Sequence, residues 1–243
     1  MSKAPTAVVT GAASGIGRAL AEVLAERGSA LHLVDVDATG LAAVGTAVRA
    51  GGTGVVSTEV LDVASSDDMA VLAERTGAVD LLCLNAGVLG ETMGAPWEAS
   101  PQEWDRVLSV NLHGVVNGLR AFVPLMVQDG SPRHILVTAS LAGGATWPGG
   151  GPYAASKHAV LAVAEQAALA LSETAVSVSV LCPALVRSAM SPEGEEPREV
   201  ASNALRACDE GAFAIFPEEW RSAVRQRSYR LADGRQPRLP VPD

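Results

Sequence analysis

Six short runs rich in β-branched residues and leucine recur along the chain: TAVVT (6–10), ALHLVD (30–35), GVVSTEV (54–60), VDLLCLN (79–85), HILVTAS (134–140) and VSVSVLCP (176–183). Each is bounded by Gly, Asp, Asn or Pro, the pattern of a strand buried in a parallel sheet. Between them lie longer amphipathic stretches that predict helices near 15–28, 39–50, 66–76, 101–128 and 152–173. A last strand, AFAIF (212–216), follows a polar segment and a short helix. This alternation is that of βαβ units, and it limits the fold to an α/β single-domain doubly wound parallel sheet, Rossmann-type, with helices on both faces. No repeat, low-complexity tract or linker divides residues 1–243, of which 5–190 read as the core and 189–243 as a substrate lid and C-terminal segment.

A chain of 243 residues fits one large domain. Its net charge of −9 argues against a nucleic-acid partner, because phosphate binding needs a basic stripe and no segment supplies one. The charge is uneven. Ser191 to Glu219 holds eight acidic residues against Arg198 and Arg206, whereas six arginines follow Trp220 against Asp233 and Asp243. That polarity reads either as a solvated surface or as a tail docking on its own domain or a neighbouring subunit. Cys83, Cys182 and Cys208 are widely spaced, so neither a disulfide framework nor a zinc site is expected. The sequence shows no signal-peptide pattern and no apolar run of membrane-spanning length, so a cytoplasmic protein without a membrane partner is expected.

Sheets of this kind bind ligands outside the carboxyl ends of their strands, and the informative residues follow the strands. After the first comes TGAASGIG (Thr10 to Gly17), in which Gly11, Ser14, Gly15, Ile16 and Gly17 form a candidate cofactor loop opening into a helix. Its glycines permit a tight turn and close approach of a pyrophosphate, whose charge is met by free N–H groups at the helix N-terminus. Alone, such a loop is equally a tight strand-to-helix turn. Asp35 ends the second strand 18 residues beyond Gly17, where a carboxylate can bond the adenine ribose hydroxyls. It would repel a 2′-phosphate, and Ala13, Val36 and Asp37 supply no cation for one, so NAD is favoured over NADP. The alternative for Asp35 is a turn or helix-cap residue. Asp62 and Val63 follow the third strand and Asn85, Ala86 and Gly87 the fourth; singly, each set could be turn chemistry.

Lysine and tyrosine are rare here, with two of each, yet Tyr153 and Lys157 stand four apart on a predicted helix and so share one face. An ammonium there would lower the pKa of the phenol, which could then exchange a proton near neutral pH. Ser140, 13 residues upstream at the end of the fifth strand, could hydrogen-bond a carbonyl or alkoxide oxygen. An ordinary helix with an exposed lysine is the plainer reading of an isolated Y-x-x-x-K. Lysine's rarity weakens it, since 16 of the 18 basic residues are arginine.

Taken together the residues resemble the short-chain dehydrogenase/reductase family, single-domain subtype, over roughly 5–190. TGAASGIG is similar to its cofactor loop, LDV to its adenine-contact motif, NAG to its structural motif, and Asn111, Ser140, Tyr153 and Lys157 to its catalytic tetrad. The resemblance implies that Tyr153 is the general acid/base and Ser140 orients the reacting oxygen. Lys157 would bind the nicotinamide ribose and lower the Tyr153 pKa, and Asn111 would hold a water linking Lys157 to solvent. Pro183, Val186 and Ser188 would complete the cofactor site, although Ala184 replaces the usual glycine and Ser188 the usual threonine. The ending AFAIFPEEWRSAVRQR also departs from the family pattern and resembles a subgroup of lipophilic-alcohol dehydrogenases.

The implied function is NAD-dependent interconversion of a secondary alcohol and its ketone. Val88–Met93, Leu141–Gly143, Trp147, Pro148 and Leu185–Met190 are mostly apolar by position and favour a neutral lipophilic or aromatic substrate, with Arg187 leaving room for an anionic one. Trp147 could instead serve core or interface. Residues 189–200 read as a mobile lid or a solvated acidic loop. The four histidines have structural roles, with His113 a distant candidate near the site. An NAD-binding sensor without catalysis and an epimerase or dehydratase using bound NAD are the rival functions. A homodimer or homotetramer through the helices at 101–128 and 152–173 is implied.

Overall fold

The structure is a computed structural model and describes residues 4–50, 55–188 and 191–243. Seven parallel strands form one sheet: β1 (Thr6–Thr10), β2 (Ala30–Asp35), β3 (Val55–Val60), β4 (Leu81–Leu84), β5 (Arg133–Thr138), β6 (Val176–Leu181) and β7 (Ala214–Ile215). Their spatial order is β3-β2-β1-β4-β5-β6-β7. The order reverses between β1 and β4, so the crevice beyond Thr10 and Leu84 is the switch point where such sheets take ligands.

Helices cover both faces. On one lie α1 (Gly15–Glu26), α2 (Ala38–Ala50) and α8 (Pro197–Asp209), whose Leu20, Leu24, Leu41, Val44, Ala201 and Leu205 are buried against the sheet. On the other lie α3 (Ser66–Thr76), α4 (Pro101–Leu108), α5 (Gly114–Met126) and α7 (Gly151–Ala170), contributing Met69, Leu72, Phe122, Met126 and Val160. Burying each leucine, valine, phenylalanine or methionine among them contributes about 1.5–3 kcal/mol. The helix starts are locally encoded: Ser65 accepts from Asp68 N at 3.2 Å and Ser100 from Glu103 N at 3.1 Å, with Pro101 on the first turn.

The structure corrects the sequence reading in four places. The helix expected at 101–128 is two helices joined by a π-helical turn, Ser109–His113. The extra residue of that turn aims Asn111 inward, where its side chain is fully buried. A short helix, α6 (Leu141–Gly144), follows β5 at once, with Ser140 as its cap. The segment at 189–200 is only partly a loop: Val186 bridges Glu195, Ser188 bridges Ser191, and α8 begins at Pro197; residues 189 and 190 lie outside the described ones. Finally, the arginine-rich C-terminus forms α9 (Arg221–Ala232), on which Val224 lies against Gly144 and from which the chain returns until Asp243 N donates to Glu219 O. The basic tail is therefore docked on its own domain.

Candidate active site

The glycine loop is built for a close approach. Gly11 and Gly15 have φ of 67° and 52°, left-handed values that other residues rarely adopt. A Cβ on Gly17 would strike the Gly11 carbonyl oxygen, and one on Gly11 would lie 2.8 Å from Ala86 Cα. Ser14 caps α1 without a side-chain hydrogen bond, so the first N–H groups of the helix face the loop unclaimed by their cap. These residues fit a dinucleotide pyrophosphate. Ile16 packs against the core beneath.

Asn85 binds this loop to the middle of the sheet. Its Nδ2 donates to Thr10 O at 3.1 Å, and its Oδ1 accepts from Thr138 Oγ1 at 3.1 Å. The Thr10 hydroxyl in turn accepts from Asn85 N at 2.9 Å and Ala86 N at 3.1 Å and donates to Cys83 O at 3.3 Å. Asp35 is tied into the same rim, accepting from Ala13 N at 2.9 Å and Asp37 N at 2.9 Å. Asp62 closes its own turn by accepting from Ala64 N at 2.9 Å. Val63 is buried under Gly114, where a Cβ would lie 2.7 Å from Val63 Cγ2, and Val63 O accepts from Asn117 Nδ2 at 3.0 Å.

The four tetrad positions come together beside that rim. Lys157, 3 % exposed, places Nζ 5.8 Å from the Tyr153 ring centroid and donates to Thr138 O at 3.0 Å. The Ser140 side chain interacts with the Tyr153 phenol, and its hydroxyl accepts from Ala142 N at 3.1 Å. Asn111 accepts from Val88 N at 2.7 Å through Oδ1 and donates through Nδ2 to Val88 O at 3.0 Å and Ser156 Oγ at 2.9 Å. Gly87 lies between two of them: a Cβ there would be 3.3 Å from both Asn111 Oδ1 and Lys157 Nζ. Pro183 supports the serine by accepting from Leu141 N at 2.8 Å. Val186 is buried, and Ser188 Cβ would meet a Cβ on Gly15 at 3.4 Å, which brings the segment after β6 to the glycine loop.

The electrostatics differ from the sequence expectation. Burial pushes the Tyr153 phenol up, with the Ser140 hydrogen bond acting the other way. The Lys157 ammonium donates to the Thr138 carbonyl, and burial drives its own pKa down to about 8. Cys182, beside Ser140 and Lys157, is pushed up to about 12 by burial.

Sequence reasoning missed Thr10, Thr138, Ser156 and Asn117, all buried polar residues that hold the site rather than face a ligand. A hydroxyl or amide closing an otherwise apolar strand was the available signal for the threonines. Of the residues left open, Trp147 is 37 % exposed, which excludes a core role, and His113 is exposed. His32, His134 and His158 bond to Ser57 Oγ, Ser179 Oγ and Ala154 O, each at 2.9 Å. Arg187 pairs with Glu196 at 2.7 Å. Among the described residues, no group of His, Cys, Asp and Glu could hold a metal ion, and no helix is long and apolar enough to cross a membrane.

The chain is 39 % identical over 214 residues to a 1-deoxy-11-beta-hydroxypentalenate dehydrogenase of Streptomyces avermitilis, covering 87 % of this chain and 79 % of that one. A short-chain dehydrogenase/reductase from Burkholderia phymatum, solved in complex with NAD, superposes with a TM-score of 0.91 at 32 % identity and 98 % coverage of both chains. A short-chain dehydrogenase from Sphingobium yanoikuyae in complex with NADPH gives a TM-score of 0.83 at 28 % identity, covering 95 % of this chain and 94 % of that one. Since residues 5–199 also match the short chain dehydrogenase family as a whole, the chain belongs to that family of oxidoreductases.

Proposed function

We propose that this enzyme interconverts a secondary alcohol and its ketone with NAD, on a neutral lipophilic or aromatic substrate. The observation that carries the reading is the grouping of Ser140, Tyr153 and Lys157, at the carboxyl edge of the sheet and next to a glycine loop shaped for a pyrophosphate. Gly11, Ser14, Gly15 and Gly17 would hold the pyrophosphate, Asp35 the adenine ribose, Asp62 and Val63 the adenine, and Asn85 to Gly87 the floor. Lys157, with Pro183, Val186 and Ser188, would hold the nicotinamide end. When bound, the nicotinamide supplies the hydride donor and acceptor of the reaction.

The chain's own residues orient the reacting oxygen and move one proton. Ser140 directs the oxygen toward the phenol, and Tyr153, held protonated at neutral pH by burial, donates to it during ketone reduction. In the oxidative direction the same phenol must be ionised first, so alcohol oxidation is favoured at higher pH. Asn111 fixes Val88, and Gly87 leaves room for the Lys157 ammonium.

NAD rather than NADP rests on the Asp35 carboxylate and the lack of a cation at Ala13, Val36 or Asp37. The relative solved with NAD supports it; the one solved with NADPH makes the selectivity worth measuring. A lipophilic substrate rests on Met93, Trp147 and Leu185, which are exposed on the segments flanking the tetrad, and on the hydroxypentalenate named for the Streptomyces relative. Association through α5 and α7 rests on the alanine-rich α7 and its exposed Leu169. Three buried, unpaired cysteines suit the reducing cytoplasm.

The test is NADH absorbance over a panel of aryl and cyclic secondary alcohols and ketones, with NAD and NADP in parallel and Tyr153→Phe as control. Turnover with NAD that the variant loses while still binding NADH is the expected result. Retained turnover in Tyr153→Phe would remove the tyrosine from the reaction.

A further inference from the structure

The connection from β4 to α4, residues 85–100, has no regular structure, a length at which connections in compact domains usually serve a ligand. It is nevertheless pinned. Its near end is held by Asn111 on both backbone groups of Val88. Further out, one side chain grips it: Glu103 Oε1 accepts from Thr92 N at 2.8 Å, and Oε2 accepts from Thr92 Oγ1 at 2.8 Å. The same carboxyl interacts with the backbone of Glu91, and these hydrogen bonds, led by that from Thr92 N, hold its pKa below the usual carboxylate range.

Ser100 already caps α4 by accepting from Glu103 N, so the carboxylate at this third helical position is free to reach out of the helix. The loop it holds lies on the turn that leads into Tyr153. A Cβ on Gly90 would run into Glu103 Oε1 and sit 3.5 Å from Pro152 Cγ, while one on Gly151 would be 3.4 Å from Thr92 O. Similarly, a Cβ on Gly149 would be 3.6 Å from Met93 O. The loop and the turn are therefore neighbours, with Gly149 and Gly151 beside the carbonyl oxygens of Met93 and Thr92, immediately before Tyr153 in sequence.

We propose that Glu103 is a positioning residue for the substrate: its carboxylate latches Thr92 so that residues 88–94 form a fixed wall beside Tyr153. This rests on the dehydrogenase reading given above. Because the wall touches substrate before and during reaction alike, its loss raises KM and leaves kcat nearly unchanged. Gln at this position keeps an acceptor for Thr92 N and a donor for Thr92 Oγ1, whereas Ala keeps neither.

Two measurements test it, on wild type, Glu103→Ala and Glu103→Gln. Amide hydrogen exchange of the peptide containing Thr92 is expected to speed at least about tenfold in the Ala variant and little in the Gln variant, with exchange in β1 and β4 unchanged. In steady-state reduction of 2-tetralone and cyclohexanone, the Ala variant is expected to show a KM about five- to tenfold higher for the bulkier ketone, with kcat and the KM for NADH within about twofold. Unchanged exchange at Thr92 overturns the latch. Faster exchange with unchanged ketone KM overturns its role toward substrate, as does a loss the Gln variant fails to reverse. If the wild type turns over no alcohol or ketone with either cofactor, the dehydrogenase reading falls and the substrate role with it, while the exchange result still decides the latch.

Discussion

Thr10 closes β1 with a hydroxyl that is 2 % exposed and makes three hydrogen bonds, to Asn85 N, Ala86 N and Cys83 O. Thr10→Val replaces that hydroxyl with a methyl of nearly the same shape, so no cavity opens and the change isolates the hydrogen bonds. Two backbone N–H groups lose their acceptor, at about 1–3 kcal/mol each. Both belong to half-buried residues that water can partly reach, which favours the lower end, and the added methyl returns something under about 1 kcal/mol. The net loss is then about 1–2 kcal/mol, and at about 2–4 °C per kcal/mol for a chain of this size Tm falls by about 2–8 °C. Guanidinium unfolding followed by tryptophan fluorescence, with calorimetry for Tm, reads it directly. Thr10→Ser keeps the hydroxyl and loses only a buried methyl, about 1 kcal/mol. NADH affinity is expected to fall in the Val variant more than in the Ser variant, since the Asn85 segment contacts the glycine loop. A Val variant within about 0.5 kcal/mol of wild type, or a Ser variant less stable than the Val one, would refute the reasoning.

Two further outcomes follow from the titrating groups. With only Tyr153 and Tyr229 in the chain, the tyrosinate absorbance of wild type minus Tyr153→Phe isolates one phenol; in cofactor-free protein it should stay flat up to pH 10, and a tyrosinate signal near pH 8 would contradict the upward shift. Lys157 has a folded pKa of about 8 against an ordinary value of 10.5, so its stabilising contribution is fully present above pH 10.5 and is lost as pH falls through about 8. Lys157→Met should therefore show a flatter rise, or a steeper fall, of stability than wild type between pH 8 and 10.5, measured by denaturant unfolding, and parallel curves would show that the lysine is not buried as described.

The strands and the order of the motifs were legible because buried parallel strands leave continuous apolar runs and because ligand-facing loops must follow them. The glycines of TGAASGIG and the Tyr153–Lys157 spacing could be read for the same reason: backbone approach and helical periodicity are local constraints. What was not legible depended on partners distant in sequence. The π-helical turn is dictated by Asn111 reaching Val88, 23 residues away, and Ser156, 45 away. Glu103 carries no local signal, because its partner Thr92 lies 11 residues away across an irregular connection. The tail was ambiguous because α9 buries only Ala223 fully and so carries almost no apolar periodicity. The lowered phenol pKa failed for a different reason: helical spacing placed the ammonium near the ring correctly but carried no information on burial, which raises the phenol, or on the Thr138 carbonyl that binds the ammonium.

That carbonyl belongs to a chain of contacts crossing the switch point. The glycine loop on β1 accepts from the Asn85 amide after β4, Asn85 accepts from the Thr138 hydroxyl on β5, and Thr138 O accepts from Lys157 on α7. Each link is a side chain leaving the carboxyl end of one strand for the next, so the loop that would hold the pyrophosphate and the lysine that would hold the nicotinamide end share one polar spine. A displacement of the loop cannot be absorbed by Asn85 alone, because its amide is used on both sides. It is passed to Thr138, whose carbonyl holds the Lys157 ammonium. The parallel sheet thus does more than present separate residues at one edge: through Thr10, Asn85 and Thr138 it ties the glycine loop to Lys157 by one continuous row of hydrogen bonds.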